Sequence, residues 1–179
     1  KVTSVSHSTI GINDLAEILN SINEEYSIVT HAKDYARKVH AGQQRRSDKS
    51  PYFTHVLRVS KMAASLGYSE DIQIAAVLHD AVEDGANPKE IAGKILEKFG
   101  KRVLDIVLNL KNAKEMDYIE YIVELALKDA DALKVKLLDM YDNLTTSPSA
   151  KQKLKYQRAV ERLQSEGVNI PEKILAQFK

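Results

Sequence analysis

The 179-residue sequence predicts an all-α single domain. Apolar residues recur at helical spacing through almost every segment after residue 11. No stretch alternates apolar and polar residues over the length a sheet needs, and glycines fall where helices stop rather than in strand turns. The composition of 44% hydrophobic and 28% charged residues is that of a globular chain, and its length suffices to bury a core without covalent staples.

Taken in order, residues 1–11 are rich in Ser and Thr and read as a tail, and residues 12–179 read as the folded domain. Asn13-Asp14 offers an N-cap to a helix carrying Leu15, Ile18, Leu19 and Ile22 on one stripe. From Tyr26 to Ala41 the stripe is Ile28, Ala32, Tyr35, Ala36 and Val39, and Gly42 stops the helix as a left-handed cap. Residues 43–54 form a polar loop with one proline, and helix resumes near His55 and stops at Gly67. Ser69 caps a helix expected to run through Ile72, Ala75, Ala76 and Val77 to Asp84, ended by Gly85. Asn87-Pro88 starts the next, with proline at its tolerated first position, and Gly100 ends it. Segments 101–112, 115–128, 130–146, 150–166 and 171–178 also have helical spacing, giving a bundle of about eight to ten helices.

A net charge of +1 argues for neither a nucleic-acid partner nor a membrane surface. No apolar run approaches bilayer length, and the first residues lack the apolar core of a signal peptide, so a cytoplasmic protein is the expectation. With no cysteine, disulfides and thiolate metal sites are excluded, and any metal must sit on His, Asp, Glu or water. The oligomeric state stays open.

Four candidate ligands stand out: His55, His79, Asp80 and Asp139. Imidazole with carboxylate suits a divalent ion of the Mn, Fe, Co or Zn group. They occupy three predicted helices, where side chains can converge between facing elements. A lone interior histidine is more often a core residue than a ligand. Asp139 is harder to explain away, because it follows Val135, Leu137 and Leu138 in an apolar helix, where a carboxylate is costly unless paired or metal-bound. The alternative is that it pairs with a lysine. Glu83 and Asp84 follow His79 and Asp80 by four residues each, which puts them on the same helical side. A second acidic pair beside a metal site can orient water and protonate a leaving oxygen. Asn143 lies four residues after Asp139 and on its face. Arg45-Arg46-Ser47 precedes His55 in the loop and suits a phosphate-rich or planar substrate, though a solvated loop has the same composition.

The runs VHAGQQRRSDKSPYFTHVLRVSKMAASLG, AAVLHDAVEDG and KVKLLDMYDNLTT together resemble the hydrolase domain of the RelA/SpoT family, an HD-type metal phosphohydrolase, and especially its stand-alone small alarmone hydrolases. The resemblance covers roughly residues 25–165. It implies an HD-type helical bundle and a divalent metal, usually manganese, held by His55, His79, Asp80 and Asp139. It implies Glu83 and Asp84 as the pair handling the hydrolytic water and the proton, and Arg45, Arg46, Ser47, Asn143 and Thr146 as nucleotide contacts. The implied reaction removes the 3′-pyrophosphate from guanosine tetra- or pentaphosphate; some relatives act on adenosine alarmones or on the 2′-phosphate of NADPH. Departures are Arg46 where the family often has Lys, SDKSPY in place of a Ser-Gly-Glu-Pro-Tyr stretch, and VLNLKNAKEMDY where the long enzymes carry Val-Thr-Lys. These leave the metal set intact and loosen the choice of substrate. A different HD nucleotide phosphatase, such as an NADPH 2′-phosphatase, and a non-catalytic binding module are the competing expectations.

Overall fold

The computed structural model describes residues 11–25, 27–111, 116–146 and 148–178, so nearly all of the expected tail lies outside the described residues. Among them every element is helical apart from one antiparallel bridge between Gln44 and Pro51. The order is α1 (Ile12–Glu25), α2 (Ile28–Val39), α3 (Tyr52–Ser65), α4 (Glu70–Leu78), α5 (Ala81–Asp84), α6 (Pro88–Asn109), α7 (Tyr118–Lys128), α8 (Ala130–Thr145), α9 (Ala150–Ser165), α10 (Glu172–Leu175) and a 3-10 turn, Ala176–Phe178.

The core is organised around α4. Its Ile72, Ile74, Ala75, Ala76, Val77 and Leu78 are all buried. A helix that is apolar on every side belongs at the centre of a bundle, and α2, α3, α6 and α8 pack around it. Short side chains at the crossings allow this approach: Ala32 and Ala36 on α2, Ala63 on α3, and Ala75 and Ala76 on α4 have no exposed surface. Helices α7 and α9 pack on each other and bring Ile122, Leu125, Ala159 and Leu163 into the core. The C-terminal segment closes against α8 and α9 with Ile170, Ile174 and Phe178 buried. By contrast, the apolar stripe of α1 is exposed, with Leu15, Ile18, Leu19 and Ile22 each about half accessible.

One local feature differs from the periodicity. The helix expected to reach Asp84 without interruption breaks at His79-Asp80, between α4 and α5. His79 Nδ1 donates to Ala76 O at 2.8 Å, so a side chain takes the carbonyl that a continuous helix would pair with the Asp80 N–H. At Gly100 the helix that starts at Pro88 stops as expected: its φ of 85° and ψ of 172° are open only to glycine and kink α6 there, and a second helical stretch follows with Val103 and Ile106 buried.

Candidate metal centre

Three elements supply the four predicted ligands. His55 projects from the first turn of α3, His79 and Asp80 from the α4–α5 break, and Asp139 from the middle of α8. His55 Nε2 lies 3.3 Å from Asp139 Oδ1 and 4.0 Å from Asp80 Oδ2. His79 Nε2 lies 3.0 Å from Asp80 Oδ2 and 3.7 Å from Asp139 Oδ1. Ligand atoms of His55, His79 and Asp80 all fall within 4.8 Å of one another. The break at residue 79 matters here, because it lets two adjacent residues aim at one point.

The tautomers test whether an ion fits. The carbonyl of Ala76 can only accept, so His79 carries its proton on Nδ1. His79 Nε2, fully buried, makes no hydrogen bond among the described residues. His55 Nδ1 donates to Asp142 Oδ2 at 2.7 Å, again leaving Nε2 as a lone pair. Two imidazole lone pairs and two carboxylate oxygens thus face one another in a largely buried site, which is unfavourable unless a positive charge sits among them. Burial alone would lower His79, but Asp80 and Asp139 outweigh it and push the imidazole well above its ordinary range. Burial would raise Asp80, but His79 and the Tyr52 hydroxyl hold it at about 2. Asp139 is likewise pulled well down, by Lys136 and both imidazoles against its burial. The donor set therefore fits a divalent cation of the borderline group.

The site opens into a cleft of about 960 Å³. Glu83 and Asp84, both exposed, line it beside Asp80. Burial and the nearby Asp80 carboxylate raise the Asp84 carboxyl above its ordinary value. Arg46 and Ser47 line it as exposed loop residues, and Thr146 lines it while its hydroxyl donates to Asp142 O at 3.3 Å. Asn143 donates to Asp139 Oδ1 at 2.7 Å and accepts from Arg45 Nη2 at 2.6 Å. Arg45 is buried, 6% exposed, rather than a solvated loop arginine. Its loop is tied across itself by Arg45 N to Ser50 O at 2.9 Å and Tyr52 N to Gln43 O at 2.9 Å.

Sequence reasoning named these residues and missed four others that the fold brings to them. Tyr52 donates its hydroxyl to Asp80 Oδ2 at 2.5 Å. Lys136 lies 2.9 Å from Asp139 Oδ2. Asp139 thus has the lysine partner considered for it, and its other oxygen still turns to the imidazoles. Asp142 takes His55, Arg45 and Arg58 on one carboxylate. Lys136 and Asp142 stand three residues before and after Asp139, a spacing that could have flagged both as sharing its face.

An all-α bundle that gathers two histidines and two aspartates from three helices around one point defines a helical metal-site protein of the HD type. The chain belongs to the HD-domain family, which it matches over residues 32–142. It is similar to the guanosine-3′,5′-bis(diphosphate) 3′-pyrophosphohydrolase of Aquifex aeolicus, at 31% identity over 141 residues, covering 74% of this chain and 20% of that protein. It is also similar to a probable GTP pyrophosphokinase of Mycobacterium leprae, at 33% identity over 168 residues, covering 84% of this chain and 21% of that protein. The chain therefore spans about a fifth of the length of these curated relatives. Among solved structures, a metazoan ortholog of SpoT that hydrolyses ppGpp superposes with a TM-score of 0.67 at 23% identity, over 85% of this chain and 92% of that one. That likeness concerns the fold. Among the described residues no helix is long and apolar enough to cross a membrane.

Proposed function

We propose that this chain is a metal-dependent phosphohydrolase that removes the 3′-pyrophosphate from an alarmone nucleotide of the (p)ppGpp or (p)ppApp type. The observation that carries the reading is the convergence of His55, His79, Asp80 and Asp139 at the floor of a cleft that Glu83, Asp84, Arg45 and Arg46 also line. The similarity to guanosine-3′,5′-bis(diphosphate) 3′-pyrophosphohydrolases supports an alarmone as substrate.

A divalent ion at the four ligands, Mn2+ in this reading, supplies Lewis-acid polarisation and a bound water of lowered pKa. The protein's own groups do the rest. Glu83 accepts a hydrogen bond from the attacking water and orients it. Asp84, on the same side as Asp80 and lining the cleft beside it, passes a proton to the leaving oxygen. Arg46, exposed at the rim and carrying five donors, receives phosphate oxygens. Arg45, clamped by Asp142 and Asn143, presents a fixed planar group to the nucleotide. Ser47, Asn143 and Thr146 add polar contacts along the same wall. Water adds to the phosphorus attached at the 3′-oxygen and that P–O bond breaks, so the products are pyrophosphate and the nucleoside 5′-diphosphate, or the 5′-triphosphate from a pentaphosphate, with a free 3′-hydroxyl. Residues 12–179 act as one HD unit in this reading, with no nucleic acid or membrane as partner.

The test is product analysis with Mn2+ and a panel of guanosine and adenosine tetraphosphate alarmones, NADPH and simple nucleotides. Pyrophosphate released from an alarmone is the expected result and identifies the base. Orthophosphate released from NADPH alone would refute the alarmone reading while leaving the metal chemistry in place.

A further inference from the structure

We infer that Asp142 is a positioning residue that sets a metal ligand and a substrate-binding arginine as one unit. The substrate arm of this inference rests on the function proposed above; the metal arm does not.

Asp142 is 2% exposed, and both its oxygens are engaged. Oδ2 accepts from His55 Nδ1 at 2.7 Å, from Arg45 Nη1 at 3.1 Å and from Arg58 Nη2 at 2.9 Å. Oδ1 accepts from Arg58 Nε at 2.7 Å. If neutralising a buried carboxylate were all that was needed, the Arg58 fork would suffice. Instead three donors, His55 and Arg58 from α3 and Arg45 from the loop before it, crowd one oxygen, and His55 and Arg45 belong to the cleft.

Each contact has a consequence. Donation from His55 Nδ1 fixes the tautomer and the ring plane, so that Nε2 keeps its lone pair aimed at Asp80 and Asp139; a carboxylate behind a ligating imidazole also makes it a better donor to a metal. Donation from Arg45 Nη1, with Nη2 on Asn143 Oδ1, holds the guanidinium at two points. Asn143 in turn donates to Asp139 Oδ1. Asp139, Asp142 and Asn143 share one face of α8 at spacings of three and four residues. His55, Asp142, Arg45, Asn143 and Asp139 therefore form a continuous polar chain that begins and ends at metal-facing groups. Moving Asp142 removes the support directly behind His55 together with one of the two holds on Arg45, whereas moving Arg45 leaves the His55–Asp142 and Asn143–Asp139 bonds in place.

The test is calorimetric titration of the full chain with Mn2+ alone, for the wild type, Asp142→Asn and Arg45→Gln, followed by KM for the alarmone that the panel identifies. Asp142→Asn is expected to weaken Mn2+ binding by about 10- to 100-fold at unchanged stoichiometry, as loss of an outer-shell carboxylate does elsewhere, and to raise KM. Arg45→Gln is expected to raise KM with Mn2+ affinity near that of the wild type. Should Asp142→Asn not fold, Asp142→Asn/Arg58→Met removes one charge of each sign, leaves no stranded guanidinium at position 58, and is expected to show the same loss of Mn2+ affinity. Wild-type Mn2+ affinity in whichever variant folds overturns the positioning role. An unchanged KM in a variant with weakened Mn2+ overturns the coupling to Arg45. A wild type that binds Mn2+ and turns over no alarmone sinks the proposed substrate alone, and the comparison of Mn2+ affinities still decides the role of Asp142.

Discussion

Asp129→Ala probes how α8, which carries Asp139, is anchored. Asp129 caps α8, accepting from Asp131 N at 3.0 Å and Ala132 N at 3.2 Å. It also receives the Arg102 fork at 2.8 and 2.7 Å and Asn109 Nδ2 at 3.0 Å, while only 7% exposed. Losing the cap costs about 1 kcal/mol. Stripping the acceptor from Asn109 and Arg102 adds about 1–2 kcal/mol. The arginine share sits at the low end, because Arg102 is 44% exposed and water replaces its partner. Urea unfolding followed by circular dichroism near neutral pH should therefore show a lower midpoint, worth about 2–3 kcal/mol, at unchanged slope. The pH dependence has a definite sign. Burial opposes ionisation of Asp129, but Arg102, Asn109 and the Ala132 N–H outweigh it and hold the carboxyl at about 2, below the ordinary 3.8. A depressed folded-state pKa means stability that is present above about pH 4 and lost as pH falls through about 2. The gap between wild type and variant should narrow over that window by about 1–2 kcal/mol, after allowance for the exposed arginine. A destabilisation under about 0.5 kcal/mol, or a gap that does not change over the window, would refute the anchoring role.

Three further outcomes are expected. Glu83→Ala should retain bound Mn2+ and lose about 10²- to 10⁴-fold in kcat; normal turnover removes Glu83 from the chemistry. Gly85→Ala should destabilise by about 1–3 kcal/mol, because a β-carbon there would sit 2.5 Å from Ala81 O and overlap Ile91 Cδ1; wild-type stability in thermal unfolding would mean the α5–α6 corner relaxes freely. Tyr52→Phe deletes the hydrogen bond to Asp80 and should weaken Mn2+ binding in calorimetry by about tenfold, the low end for loss of an outer-shell partner; unchanged affinity would show that Asp80 needs no such support.

The helices were legible because an amphipathic or wholly apolar period reports burial directly: α2, α7, α8 and α9 fall close to their expected spans, and α6 covers two of them joined at the Gly100 kink. Of the four candidate ligands, Asp139 stood out as a carboxylate in an apolar helix, whereas His55, His79 and Asp80 were each weak signals alone and gained weight from their pattern and the family resemblance. Less legible was anything decided by a side chain answering another side chain. The break after Leu78 depends on His79 bonding back to Ala76 O, which no pattern of apolar residues encodes. Asp142 reads in the sequence as one more acidic residue beside Asn143, and only the convergence of α3, the Arg45 loop and α8 shows that it faces inward. Arg45 and Arg46 are identical in sequence terms, yet one is buried in that network and the other lies open on the cleft. The apolar stripe of α1 has helical spacing as regular as that of α2, but it is exposed, because period predicts a helix and not what it packs on.

The most direct test of the metal centre is to measure bound manganese per chain and pyrophosphate release on the same preparations of wild type and Asp80→Ala. One Mn2+ per chain with alarmone hydrolysis in the wild type, and neither in a folded Asp80→Ala, is the predicted result. Full turnover by Asp80→Ala with manganese still bound would contradict it and place the chemistry elsewhere in the cleft.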